Sequence, residues 1–158
     1  MGHILEGLGF VVRDMDAEKR QGEPKREDLR LTLFESTGWE AMVEVKGYTN
    51  GTRTSDARQI REHRDLYIKE EGHPPDLTLW VANPYRSIVD PSGRPAPDNN
   101  VGESAANIEA VHVLTTDLFR LWALVQWGHI EQEGALQQLV GATPGLWSPA
   151  LSDTQDTI

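Results

Sequence analysis

Asp28-Leu29-Arg30-Leu31-Thr32-Leu33-Phe34, then a turn, then Trp39-Glu40-Ala41-Met42-Val43-Glu44-Val45-Lys46-Gly47 is the stretch that decides the fold. In its first half Leu29, Leu31 and Leu33 alternate with Asp28, Arg30 and Thr32, the period-two pattern of a half-buried strand. In its second half Trp39, Ala41, Val43 and Val45 alternate with Glu40, Met42, Glu44 and Lys46. The turn Glu35-Ser36-Thr37-Gly38 joins them into an antiparallel hairpin, which excludes an all-parallel sheet.

On the N-terminal side, residues 10–16 read as a first strand opened by Phe10-Val11-Val12. Before it, Leu5-Glu6-Gly7-Leu8 reads as the last turn of a helix stopped by Gly9, so the first helix is very short or the chain is cut from a longer protein. Residues 19–27 form a charged turn containing Gly and Pro. On the C-terminal side, Thr54, Ser55 and Asp56 offer a cap to a helix reaching about Glu71, with Gly72 as its stop and Pro74-Pro75 beyond. Residues 77–82 read as a buried fourth strand. Residues 83–107 form a long loop with one helical turn at 104–107, and 111–114 a short fifth strand. Helices at about 117–127 and 131–140 follow, and a flexible tail from 141 to 158. Strands interleaved with helices make this an α/β protein: a mixed central sheet flanked by helices, one domain over residues 1–140.

The length of 158 residues suits that single domain, and 38% hydrophobic residues supply one ordinary core. No apolar run approaches the roughly 20 residues of a membrane span, and residues 1–10 lack a secretory leader's basic start. The absence of cysteine removes disulfides and thiolate zinc sites, and fits a reducing, cytoplasmic setting. His3, His73, His112 and His129 show no paired zinc spacing, and no Gly-rich phosphate loop occurs. The net charge of −10 speaks against a simple DNA-coating protein. That charge is uneven: residues 1–70 hold 12 Lys+Arg against 14 Asp+Glu, whereas residues 71–158 hold 3 against 11.

The chemistry concentrates on Glu44-Val45-Lys46, where i and i+2 share a strand face, setting a carboxylate beside an ammonium. If the hairpin brings Asp28 beside Glu44, two hard oxygen donors meet, a set that suits Mg²⁺ together with waters and a substrate phosphate. Parity opposes this for a regular turn. With a four-residue turn at 35–38, paired residue numbers sum to 73, and Asp28 lands on the wrong face. A three- or five-residue loop, or one bulge, restores it.

These residues resemble the PD-(D/E)xK nuclease superfamily, the restriction-endonuclease-like fold, in an Mrr- or RecB-like branch. The resemblance rests on Leu8-Gly9-Phe10, Asp28-Leu29-Arg30-Leu31, Met42-Val43-Glu44-Val45-Lys46 and Arg58-Gln59-Ile60. Val81-Ala82-Asn83-Pro84 and the segment from Val113 to Phe119 look like the closing strands of such domains. It implies an αβββαβ core and a metal-dependent DNA endonuclease, within a larger restriction, repair or phage-defence protein. Asp28 and Glu44 would ligate Mg²⁺, with Mn²⁺ substituting, Lys46 would assist catalysis, and Gln59 would join the site from the following helix. Glu27 stands where many relatives have proline, and Glu6 is a poor substitute for a glutamate that some relatives place on the first helix.

His63, one turn after Gln59, can face the same cleft or serve as a structural residue. Arg53, Arg58 and Arg61 are candidate phosphate contacts, or partners for neighbouring acids such as Glu62. Trp39, Trp80 and Trp122 are core candidates. The expected partner is DNA, bound weakly by the isolated domain, with a second copy or other domains of a longer protein alongside and no membrane. The alternative reading is an inactive nuclease-like fold used as a recognition or assembly module. A third is an unrelated α/β domain with Glu44 and Lys46 as surface decoration.

Overall fold

The two alternating stretches become neighbouring strands at the heart of one mixed sheet. The computed structural model describes residues 1–18, 25–34 and 38–151. Its six strands lie side by side in chain order: β1 (Phe10–Asp14), β2 (Leu29–Leu33), β3 (Glu40–Gly47), β4 (Leu77–Asn83), β5 (Val111–Leu114) and β6 (Gly145–Trp147). β1, β2 and β3 pair antiparallel, and β3 to β6 pair parallel. The helices are α1 (Gly2–Gly7), α2 (Met15–Glu18), α3 (Asp56–Glu71), α4 (Asn99–Asn107), α5 (Thr115–Gln126) and α6 (Gln132–Val140).

Strand alternation sorts the core into two layers. Leu29, Leu31, Ala41, Val43, Leu79, Val81, Val111 and Val113 pack with residues of α1, α5 and α6 on one face. Met42 and Trp80 pack with α3 and α4 on the other. α3 presents Ala57, Ile60, His63 and Tyr67 inward at helical spacing. It ends at Gly72, whose φ of 82° permits the left-handed cap, with its N–H on the Ile68 carbonyl. Ser55 is its N-cap without a side-chain capping bond; Asp56 instead accepts the Tyr48 hydroxyl at 2.8 Å.

Three sequence expectations need correction. β1 stops at Asp14, and Met15–Glu18 forms a helical turn that tucks Met15 inward. The loop after β4 carries the nine-residue α4, because Asp98 caps its start and Val101 and Ala105, one turn apart, find the α3-side core. The expected tail does not begin at 141. Gly145–Trp147 add to β5 as β6, and the Trp147 indole donates to the Gln138 carbonyl at 3.3 Å. The part of that tail at 152–158 lies outside the described residues. α1 has only six residues, yet Leu5 and Leu8 are fully buried. Gly7 lets it approach α5 closely: a Cβ there would stand 2.3 Å from the Trp122 indole nitrogen.

Candidate active site

The register of β2 and β3 differs by one from that of a regular four-residue turn. Leu29 pairs with Val43 and Thr32 with Glu40, residue numbers that sum to 72. An odd number of residues therefore separates the paired positions, and Asp28, one residue before the last pair, is close enough for the Glu44 charge to act on its carboxyl. Asp28 lies just before β2, tied to β3 by its own N–H on the Val43 carbonyl at 3.1 Å and by Oδ2, which accepts the Val45 N–H at 2.6 Å.

Glu44 is fully buried on the face that α3 covers. Its Oε1 accepts from Lys46 Nζ at 2.5 Å and its Oε2 from His63 Nδ1 at 2.8 Å. Lys46 Nζ also donates to Gln59 Oε1 at 3.2 Å. Gln59 and His63 are one turn apart on α3, so one helix face supplies an amide to Lys46 and an imidazole to Glu44. The structure thus joins Glu44, Lys46, Gln59 and His63 in one hydrogen-bonded cluster beside Asp28.

The two carboxyls are tuned in opposite directions. Burial pushes the Asp28 carboxyl up and the nearby Glu44 charge adds to this, against the Val45 N–H, which favours the ionised form. Burial also opposes ionisation of Glu44, but the His63 and Lys46 hydrogen bonds outweigh it and hold that carboxyl below the usual range.

Gln59 and His63 line an open groove of about 920 Å³ with Lys25, Ser55, Arg58, Glu62 and Leu66. Arg58 is exposed there and pairs with Glu62 at 3.1 Å. Arg53 is exposed in a separate groove between the β3–α3 loop and α4, with Thr52, Asp98 and Asn100. Arg61 is exposed and lines neither. So the structure brings Arg58 alone of the three beside the cluster, and adds Lys25, which sequence reasoning left unassigned.

Sequence reasoning also missed an ionic clamp around Asp28. Arg30 is 6% exposed and Glu27 1%, and the two are paired across Asp28. The Arg30 guanidinium also bonds Glu71, reaches Glu70 at 3.1 Å, and sits 4.6 Å from the Tyr67 ring centre. This ties the start of β2 to the end of α3. The only signal in the sequence was a charged residue on a strand between leucines.

No group of three or more His, Asp or Glu able to hold a metal occurs among the described residues. None of the described helices is long and apolar enough to cross a membrane.

No protein-family model matches the chain, and no curated protein matches it. Solved structures do. The restriction endonuclease FokI superposes with a TM-score of 0.61 at 10% identity over 94% of this chain, and FokI bound to DNA with 0.56 at 9% over 92%. This chain spans 27% of the length of those chains. The fold is restriction-endonuclease-like, as the sequence resemblance implied.

Proposed function

We propose that this chain is a metal-dependent nuclease domain that hydrolyses phosphodiester bonds in DNA. One observation carries the reading: Glu44 and Lys46 join Gln59 and His63 of α3 in one hydrogen-bonded cluster, with the Asp28 carboxyl near enough to feel the Glu44 charge. The fold likeness to a DNA-bound restriction endonuclease supports it.

The donor set fits a hard divalent cation. Asp28 Oδ1 has no hydrogen-bond partner among the described residues, and each Glu44 oxygen accepts one bond, leaving lone pairs for ligation. Two protein carboxylates with other positions left to water and phosphate is the pattern Mg²⁺ favours. Asp28 and Glu44 would hold it, with Mn²⁺ able to substitute. Bound there, the ion supplies Lewis-acid polarisation of a phosphoryl oxygen and neutralises charge.

The remaining chemistry belongs to the chain. Lys46 offers an ammonium to offset negative charge building on the phosphate, and Gln59 keeps that ammonium from collapsing wholly onto Glu44. Lys25 and Arg58 set positive charge along the groove, where a backbone phosphate can rest. With a net charge of −10 the isolated domain binds DNA weakly, with salt-sensitive affinity. A second copy or further domains of a longer cytoplasmic restriction, repair or defence protein would add affinity and target choice.

The test is cleavage of supercoiled plasmid with Mg²⁺ or Mn²⁺ by the wild type, Glu44→Ala and Lys46→Ala. Nicking by the wild type and a loss of a hundredfold or so in each variant is expected. Equal nicking by all three, or none by any, refutes the proposal.

A further inference from the structure

We infer that His63 is a positioning residue that fixes Glu44 in one orientation for a divalent cation. The inference rests on the nuclease reading and adds to it a residue outside the aspartate–glutamate–lysine pattern. Glu44 has two anchors of unequal quality. Oε1 is held by Lys46, a flexible four-carbon stem whose ammonium also bonds Gln59 and is needed near the phosphate. Oε2 is held by His63 Nδ1 at 2.8 Å, from a ring only 6% exposed.

That ring cannot swing away. It sits on the inward stripe of α3 between Ile60 and Tyr67, both fully buried. A carboxylate oxygen carries two lone pairs, so Oε2 still has one to offer after accepting from His63. A donor behind a ligating carboxylate sets its direction, and removing such a partner costs tenfold to a hundredfold in metal affinity in comparable sites. His63 also lines the groove, so it stands between the buried carboxylate and groove water.

The experiment measures Mn²⁺ binding to the full chain by electron paramagnetic resonance of the free ion, without DNA. Wild type, His63→Ala and His63→Gln are compared, with circular dichroism to establish folding. His63→Ala should bind Mn²⁺ about tenfold to a hundredfold more weakly. His63→Gln, which keeps an N–H donor, should recover most of that loss, a rescue that a purely packing role would not produce. Should His63→Ala fail to fold, His63→Leu fills the volume without a donor and takes its place. Unchanged Mn²⁺ affinity in a folded donor-free variant, or equal weakness of the Gln and donor-free variants, overturns the inference and leaves the nuclease reading standing. Absence of Mn²⁺ binding by the wild type overturns both.

Discussion

Replacing Arg30 by methionine isolates what the ionic clamp beside Asp28 contributes. Methionine keeps much of the stem volume and its contact with Tyr67, so the change removes charge more than packing. Its chief consequence falls on Glu27. That residue is 1% exposed, its one hydrogen-bonded oxygen faces Arg30, and its Oε2 has no hydrogen-bond partner among the described residues. Loss of the guanidinium strands a buried carboxylate, which costs about 3–5 kcal/mol when a buried pair is broken from one side. Glu70 and Glu71 are partly exposed and can rehydrate, so they add little. The cation over the Tyr67 ring adds up to about 1 kcal/mol. Against a total stability of about 5–15 kcal/mol for a domain, the variant should lose at least about a fifth. Urea unfolding followed by circular dichroism reads it as a fall in midpoint. The double variant Glu27→Leu with Arg30→Met removes the stranded charge, so it should be more stable than Arg30→Met alone by about 1–3 kcal/mol. A loss under about 1 kcal/mol in the single variant, or simple additivity in the double, would show that Arg30 does not hold Glu27 in this way.

Two further outcomes follow from packing and burial. Gly7→Ala places a methyl 2.3 Å from the Trp122 indole nitrogen, so it should destabilise by about 1–3 kcal/mol despite better helix propensity; a thermal midpoint at or above wild type contradicts the close α1–α5 contact. His112 is 1% exposed and burial lowers its pKa to about 4, below the unfolded value near 6.5. Its neutral form therefore stabilises the fold fully above pH 6.5, and this contribution drains as pH falls toward 4, by about 2 kcal/mol at pH 5. Burial raises Asp117 to about 6, which acts in the opposite sense: its protonated form favours the fold on the acid side. Wild-type stability should thus vary little between pH 7.5 and 5, while His112→Gln gains stability on acidification; parallel urea midpoints across that range for both proteins would show that His112 does not titrate this way.

Much of the site was legible because it is local. Glu44 and Lys46 share a face by strand geometry, Gln59 and His63 by helix geometry, and both pairs were readable as spacings. The contact of Asp28 with this group depended on one residue of hairpin register, which no alternation pattern fixes. His63 was ambiguous because its burial depends on a carboxylate nineteen residues away on another element. Only the last turn of α4 was legible, because Asn99, Asn100, Gly102 and Ser104 are poor helix formers, and packing of Val101 and Ala105 overrides them. β6 escaped because three residues flanked by Pro144 and Pro149 carry no strand signal until β5 offers an edge.

The arrangement of the layers has a consequence for chirality. From β3 to β6 each parallel strand is laid down beside the last, always advancing the same way across the sheet. The connections through α3 and α4 cross one face, and the connection through α5 and α6 crosses the other. Two crossovers that advance alike on opposite faces have opposite hands, so the near-universal right-handed preference cannot be met by both. The sheet accommodates this at its margin, since the last crossover spans two helices and delivers only three residues of strand. β6, like β1 at the other edge, can detach and leave every other pairing intact, and the described site, carried by β2, β3 and α3, lies on the opposite side of β4 and β5 from it.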